Sequence, residues 1–161
     1  MKSVVSMMIA GAILFAVPVF AQTEGSADTN MQILLDKVKA DKKLLVASNM
    51  DLTDAESKSF WPVYEAYQKD LQQVNERLMK TIATYAEAYN QGKGTISNDA
   101  AKKLLHDALS VEEQEVKLKR TYADKVGKVL PAAKTTRYIQ LENKIRAVIK
   151  FELARQIPLV Y

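Results

Sequence analysis

The sequence predicts an all-α protein, a long antiparallel helical hairpin with two shorter flanking helices, four helices in all. Three observations predict it. Apolar residues recur at alternating steps of three and four, glycine and proline number only 5 and 4 in 161 residues, and no segment alternates as a β-strand does. We expect one helical domain over residues 31–161, after a signal peptide over residues 1–21 and a disordered lead-in over residues 22–30.

Helix one is predicted from about Met31 to Ser48. Its apolar stripe consists of Leu34, Val38 and Leu45, and Asp41 interrupts it. The polar, small residues before it, Thr23 to Asn30, are typical of a disordered segment.

Helix two is predicted from about Thr53 to Gln91, about 58 Å long at about 1.5 Å per residue. Its stripe is a heptad seam with one inserted step, and it contains Phe60, Tyr64, Tyr67, Leu71, Val74, Leu78, Ile82, Tyr85 and Tyr89. Pro62 has no N–H to donate to the carbonyl of Lys58. We therefore predict a kink between Lys58 and Pro62, or a fresh helix start at Pro62.

A turn over Asn90 to Asp99 holds two glycines and then potential caps, and it separates helix two from a third long helix. Helix three is expected to end near Leu130, with a stripe of Leu104, Ala108, Val111, Leu118, Tyr122, Val126 and Val129. Helix four begins at Pro131, a favourable first helical residue, and stops before Pro158. Its stripe is Tyr138, Leu141, Ile145, Val148 and Ile149.

Helices two and three are of similar length and joined by a short loop, so they should form an antiparallel hairpin. Helices one and four are expected near its open end. So thin a hairpin leaves apolar surface that self-association would cover, and we therefore expect a homodimer.

The chain opens with one basic residue, Lys2, followed by an apolar run from Val4 to Phe20 and small residues at a cleavage site after Ala21. This pattern is typical of a secretory signal peptide; the alternative is a membrane anchor. We expect cleavage, export to the periplasm and no stable membrane insertion afterwards.

The composition excludes several classes of function. Cysteine is absent, which excludes disulfides, thiol chemistry and thiolate metal sites. Without Lys2, 22 basic residues stand against 19 acidic ones, an excess too small and too dispersed for nucleic-acid binding. There is no glycine-rich phosphate loop and no nucleophile elbow, so we expect neither an enzyme nor a cofactor.

Metal binding has weak candidates. His106 is the one histidine, and it is a metal ligand or, by the favoured interpretation, a surface residue, because transition-metal sites need several such ligands. Glu112 and Glu115 share a helix face and could bind a hard cation. A solvated face paired with neighbouring lysines and arginines explains them more simply.

The aromatic residues of helix two are the strongest candidates for partner binding. Aromatic side chains offer large contact area at little entropic cost. The candidate contacts are Phe60, Trp61 and Tyr64, with Lys58, Lys69 and Arg77 nearby. Helical spacing makes a core position the default for Phe60, Tyr64 and Tyr67, whereas for Trp61 a core position and a partner contact are equally favoured.

The segment "LTDAE", Leu52 to Glu56, resembles the Leu-Thr-x-x-Gln motif of the Spy/CpxP-like periplasmic proteins. The motif residues here are Leu52, Thr53 and Glu56, with glutamate in place of glutamine. The second motif of that family corresponds to "LPAAKTTRY", where Leu130 matches. Pro131 replaces the threonine and Lys134 the glutamine. The layout matches over essentially the whole chain after the signal peptide, and the strings "FWPVYEAY" and "ELARQIPLV" indicate a distinct branch.

The resemblance implies a four-helix, cradle-shaped dimer and an ATP-independent chaperone or envelope-stress role, with unfolded or envelope proteins as clients. Histidine-rich metal-binding segments of some relatives are missing here, so metal sensing is not implied. Two alternatives remain. The chain is a metal-linked or sensor-docking regulatory accessory, or it is a structural coiled-coil protein of the envelope.

Overall fold

The structure, a computed structural model, describes residues 41–160. In that range it contains four helices and no strand, which confirms the all-α prediction. The described part of α1 covers residues 41–50, and it is followed by α2 (Asp54–Gln91), α3 (Asn98–Gly127) and α4 (Ala132–Gln156). The signal peptide, the lead-in and the start of helix one were predicted within residues 1–40, which lie outside the described residues. None of the described helices has the length and apolar character to cross a membrane.

The beginning of α2 is fixed by a capping box. The Thr53 hydroxyl accepts from the amide of Glu56 at 3.3 Å, and the Glu56 carboxylate accepts from the amide of Thr53 at 2.8 Å. Two of the amides left unpaired at the helix start are thereby satisfied. Just before them, Asp51 has a left-handed backbone with φ of 48° and turns the chain between α1 and α2.

Pro62 lies inside α2, which continues through it as one helix. The predicted fresh helix start at Pro62 is therefore wrong, whereas the kink stays a prediction. Pro62 and Lys58 are both exposed. The Lys58 carbonyl, which loses its usual donor at Pro62, therefore lies on the solvent side, where water can replace that donor.

The turn between α2 and α3 depends on one glycine. Gly94 has a φ of 99°, a conformation that residues with a Cβ rarely adopt, and its amide donates to the Tyr89 carbonyl at 2.9 Å. Ser97 then caps α3 by accepting from the amide of Ala100. The turn sends α3 back along α2.

The antiparallel hairpin is confirmed. The rings of Tyr67 and Tyr122 meet at 5.2 Å between centroids, and further along α2 the Arg77 guanidinium donates to the Ser110 hydroxyl at 3.5 Å. Because partner numbers rise on α2 as they fall on α3, the helices run in opposite directions.

The position of α4 differs from the expectation that it packs near the open end. Gln68, midway along α2, donates to Glu142 at 3.2 Å, and Tyr85, near the closed end, donates to the carbonyl of Pro158 at 2.8 Å. As residue numbers rise along α2, the numbers of their partners on and after α4 also rise, so the two helices run in the same direction. The expectation is wrong because α4 runs alongside the hairpin, parallel to α2, and is not confined to one end.

Six aromatic residues pack together, five of them in the core and Trp61, partly buried, against it. Their rings lie at centroid distances of 5.1 to 6.3 Å, mostly edge to face, the arrangement that ring quadrupoles favour. They are Phe60, Trp61, Tyr64, Tyr67, Tyr122 and Tyr138. They join α2, α3 and α4 in one apolar layer.

Candidate binding surface

Two of the predicted partner contacts belong to the core. Phe60 has no exposed surface and Tyr64 only 3 %. Both pack against Tyr138 of α4. In this conformation neither can contact a partner, because α4 covers the face of α2 on which they lie.

The other predicted contacts lie on the outside of α2 but do not form one patch. Trp61 is partly buried, and the ammonium of Lys43 lies 5.2 Å from the centre of its ring. Lys58, Lys69 and Arg77 are exposed. They are spread over about 29 Å of the helix, at about 1.5 Å per residue.

The two motif segments meet at the beginnings of α2 and α4. The Lys134 ammonium donates to the Glu56 carboxylate at 2.6 Å and to the Asp51 carbonyl at 2.7 Å. We call Asp51, Glu56 and Lys134 the helix-end clasp. Glu56 and Lys134 form an ion pair at the two positions where the Spy/CpxP-like motif has glutamine.

The remaining motif residues serve the same junction. Leu130 is buried in the core, and Leu52 is partly buried against it. Pro131 stands at the start of α4 and makes no side-chain cap, unlike Thr53 on α2. The motif residues therefore hold the beginnings of α2 and α4 together, and Lys134 reaches from α4 to the Glu56 carboxylate and the Asp51 carbonyl.

The helix-end clasp predicts a pH dependence. Hydrogen bonds from Lys134 and from the Thr53 amide lower the pKa of Glu56 below its usual 4.5. A carboxyl with a lowered folded-state pKa stabilises the fold above the unfolded pKa, and this contribution is lost as the pH falls through the folded value. We expect Lys134→Met to destabilise the protein at pH 7, by an amount that shrinks as Glu56 is protonated.

Urea denaturation between pH 3 and pH 7 measures this effect. Lys144→Met, an exposed change on the same helix, is the matched control and should follow the unchanged protein. If Lys134→Met lowers the free energy of unfolding equally at pH 3 and pH 7, the stabilising role of the ion pair is contradicted.

The metal candidates do not converge. The side chain of His106 is 85 % exposed and its nearest carboxylate is that of Asp107, at 3.9 Å. Glu112 is exposed, whereas Glu115 is buried. Residues 41–160 contain no group of three or more histidine, aspartate or glutamate side chains placed to hold a metal ion.

Glu115 is not part of a solvated face, contrary to the favoured interpretation of the sequence. It accepts from Arg146 of α4 at 2.7 Å, and Lys150 and Lys119 lie 3.4 Å and 3.9 Å from its carboxylate. Arg146 also donates to Asn75 of α2 at 2.8 Å. Burial alone would raise the pKa of Glu115, but the hydrogen bond and charge of Arg146, with the two lysines, hold that pKa below its usual value.

An exposed apolar row runs along the outer face of α3. Leu105 is 63 % exposed, and Leu109 and Val116 are each 51 % exposed. With Glu112 they recur at steps of four, three and four, so they share one face of the helix. We call these three residues the outer stripe. Two basic and two acidic side chains border it, namely Lys117, Arg120, Glu112 and Glu113.

A groove of about 510 Å³ opens beside the outer stripe. Its walls come from α2, α3, α4 and the residues that follow α4, and they are largely apolar. Leu105 and Glu112 border both features, so the groove and the outer stripe form one continuous surface. The walls include Ile82, Leu104, Ala108, Val111, Leu153 and Val160.

Sequence reasoning missed this surface although a signal was present. Positions 105, 109, 112 and 116 have the same spacing as the predicted stripe of helix three. Each lies one residue after a position of that stripe, which begins with Leu104, Ala108 and Val111. Two adjacent apolar stripes on one helix indicate that one of them is not covered by the hairpin.

No protein-family model, curated protein or solved structure matches the chain.

Proposed function

We propose that this protein is a periplasmic, ATP-independent chaperone that holds unfolded envelope proteins, as the Spy/CpxP-like resemblance implies. The observation that supports it best is the outer stripe, three large apolar side chains, each at least half exposed, in one row that opens into an apolar groove. Contiguous exposed apolar surface marks interaction sites on soluble proteins.

The charges around the outer stripe suit an unfolded client. Lys117 and Arg120 can pair with acidic groups of a client, Glu112 and Glu113 can pair with basic ones, and the leucines and valine supply contact at short range. Contacts of this kind are non-directional, so they tolerate clients of varied sequence. No nucleotide is needed, because binding and release follow from mass action as the client folds.

The test is suppression of aggregation of an unfolding client by the purified protein without ATP. We expect suppression by the unchanged protein, and an apparent affinity at least about tenfold weaker for Leu105→Lys combined with Leu109→Lys, since each loses an apolar contact of about 1.5–3 kcal/mol. The matched control is Leu44→Lys combined with Phe151→Lys, which alters two exposed residues outside the outer stripe.

Control and stripe variants carry the same added charge, so a change in solubility alone affects both. No suppression by the unchanged protein at several-fold molar excess would refute the chaperone function. Equal suppression by the two double variants would refute the outer stripe as its site.

A further inference from the structure

We propose that the described part of α1, residues 41–50, is a detachable strap that closes over the seam between α2 and α4 and releases it while α2, α3 and α4 stay folded. In the closed position the strap lies against Trp61 and Gln68 of α2 and Glu142 of α4. This face of the molecule is not the outer stripe, and the proposal does not depend on the chaperone function.

Two lysines of α1 join the strap to both sides of the seam. The Lys42 ammonium donates to Gln68 of α2 at 2.9 Å and to Glu142 of α4 at 2.8 Å. The Lys43 ammonium lies 5.2 Å from the ring centre of Trp61, also on α2. The strap therefore contacts both helices and covers part of the aromatic cluster that joins them.

The apolar anchor of the strap is small. Positions 42, 46 and 50 recur every four residues, so they share the face that meets the seam. Within residues 41–50, Val46 and Met50 have no exposed surface, whereas Leu44 is 65 % exposed on the outside. In comparison, α4 buries a longer apolar row that runs from Tyr138 to Leu153. Less apolar burial holds the strap than holds α4, so the strap should open first.

Closing the strap also has an electrostatic cost. The side chains of Lys42 and Glu142 are 17 % and 0 % exposed. Burial lowers the pKa of Lys42 below its usual 10.5, although the charge of Glu142 opposes this shift. The closed position therefore favours the charged ammonium less than water does. When the strap opens, both charges regain their hydration, which offsets part of the lost contact.

The helix that follows does not need the strap for its own start. The capping box of Thr53 and Glu56 closes the beginning of α2. Lys134 of α4 donates to the carbonyl of Asp51 at 2.7 Å and so holds the linker between α1 and α2. The strap can therefore pivot at Asp51 and leave the start of α2 intact.

Opening brings the Trp61 ring and the Glu142 carboxylate to the surface between α2 and α4. The sequence favours a core position and a partner contact equally for Trp61, and the strap allows both in turn. Trp61 is packed when the strap is closed and accessible when it is open.

Hydrogen exchange of the full chain measures the opening. We expect the amides of Val46 and Met50 to be protected at least about tenfold less than those of Tyr67 and Leu71 in the middle of α2. A local opening requires less free energy than global unfolding, and it exposes the strap amides alone.

A double variant should hold the strap closed. Lys42→Met combined with Glu142→Leu replaces the buried ion pair by apolar side chains, and we expect the protection of the strap amides to rise about tenfold. The matched control is Lys43→Met combined with Glu65→Leu, the same two changes at an ion pair whose side chains are 53 % and 62 % exposed. The control should change that protection by less than about threefold.

A single variant should open the strap. Val46→Asp places an unpaired carboxylate in the closed contact, and Leu44→Asp, on the exposed side of α1, is its control. Trp61 is the one tryptophan of the chain, so its fluorescence reports on the strap directly. We expect Val46→Asp to shift the emission to longer wavelength and to raise its quenching by acrylamide, whereas Leu44→Asp should do neither.

Three results would overturn the proposal. They are strap amides as well protected as the middle of α2, an equal change of strap protection in the two double variants, and a Val46→Asp variant that loses the protection of α2 as well. The last result would make α1 an integral part of the core. None of these measurements uses an unfolding client, so the strap and the chaperone function can fail separately.

Discussion

Replacing Arg146 by methionine is expected to lower the free energy of unfolding by about 3–5 kcal/mol, the usual cost of breaking a buried ion pair from one side. Arg146 is 3 % exposed and bonds both Glu115 of α3 and Asn75 of α2. Methionine fills much of the same space but leaves the Glu115 carboxylate without its closest cation. The penalty is therefore mainly the desolvation of a negative charge, and only secondarily a loss of packing.

Urea denaturation at pH 7 measures this effect, and Arg137→Met, an exposed change on the same helix, is the control. A second variant separates charge from packing. Glu115→Leu combined with Arg146→Met removes both charges, and we expect it to recover most of the lost stability. A loss under about 1 kcal/mol for Arg146→Met alone would mean that Lys119 and Lys150 suffice to neutralise Glu115, contrary to this account.

Acidification gives a further check on the same variant. Because the pKa of Glu115 lies below its usual value in the fold, its ion pair stabilises the protein above the unfolded pKa, and this contribution is lost as the pH falls through the folded value. Without Arg146, a protonated Glu115 is neutral and easier to bury. The loss in the free energy of unfolding caused by Arg146→Met should therefore become smaller as the pH falls.

The helix boundaries could be predicted because their signals are local. Thr53 and Ser97 cap α2 and α3, Gly94 allows the turn between them, and Pro131 marks the start of α4. Each signal depends on a few neighbouring residues, so no knowledge of the tertiary structure was needed. The antiparallel hairpin followed from the length of its two helices and of their loop.

The course of α4 could not be predicted from apolar spacing alone. Glu142 and Arg146, one turn apart, are buried against α2, where Gln68 and Asn75 bond them. In the sequence they look like ordinary surface charges of a helix. A stripe that includes only apolar residues leaves out Glu142 and Arg146. Both nevertheless lie on the same face of α4 as Tyr138 and Ile149.

The exposure of the candidate contacts could not be predicted for a related reason. The sequence makes aromatic residues on α2 candidate contacts, but α4 covers Phe60 and Tyr64. The outer stripe on α3 stayed open because α4 packs on the neighbouring face. Which of two adjacent stripes meets solvent depends on a helix distant in sequence, and local periodicity carries no information about that choice.

Replacing Phe60 by alanine is expected to lower the free energy of unfolding by about 3–5 kcal/mol, the range for large-to-small changes at buried aromatic positions. Phe60 has no exposed surface, and its ring centre lies 5.1 Å from those of both Trp61 and Tyr138. Alanine would leave a cavity where α2 meets α4, near the helix-end clasp. Phe151→Ala, at a residue 45 % exposed, is the control and should change stability by less than about 1 kcal/mol.

The same variant separates the two interpretations of Phe60. If Phe60 is core, Phe60→Ala should bind unfolded clients as the unchanged protein does, provided that the assay is run well below its lowered melting temperature. If Phe60 is a client contact, suppression of aggregation should fall while the free energy of unfolding stays within about 1 kcal/mol of the original value. Burial predicts the first result, because a side chain without exposed surface can affect binding only by changing the population of the folded state.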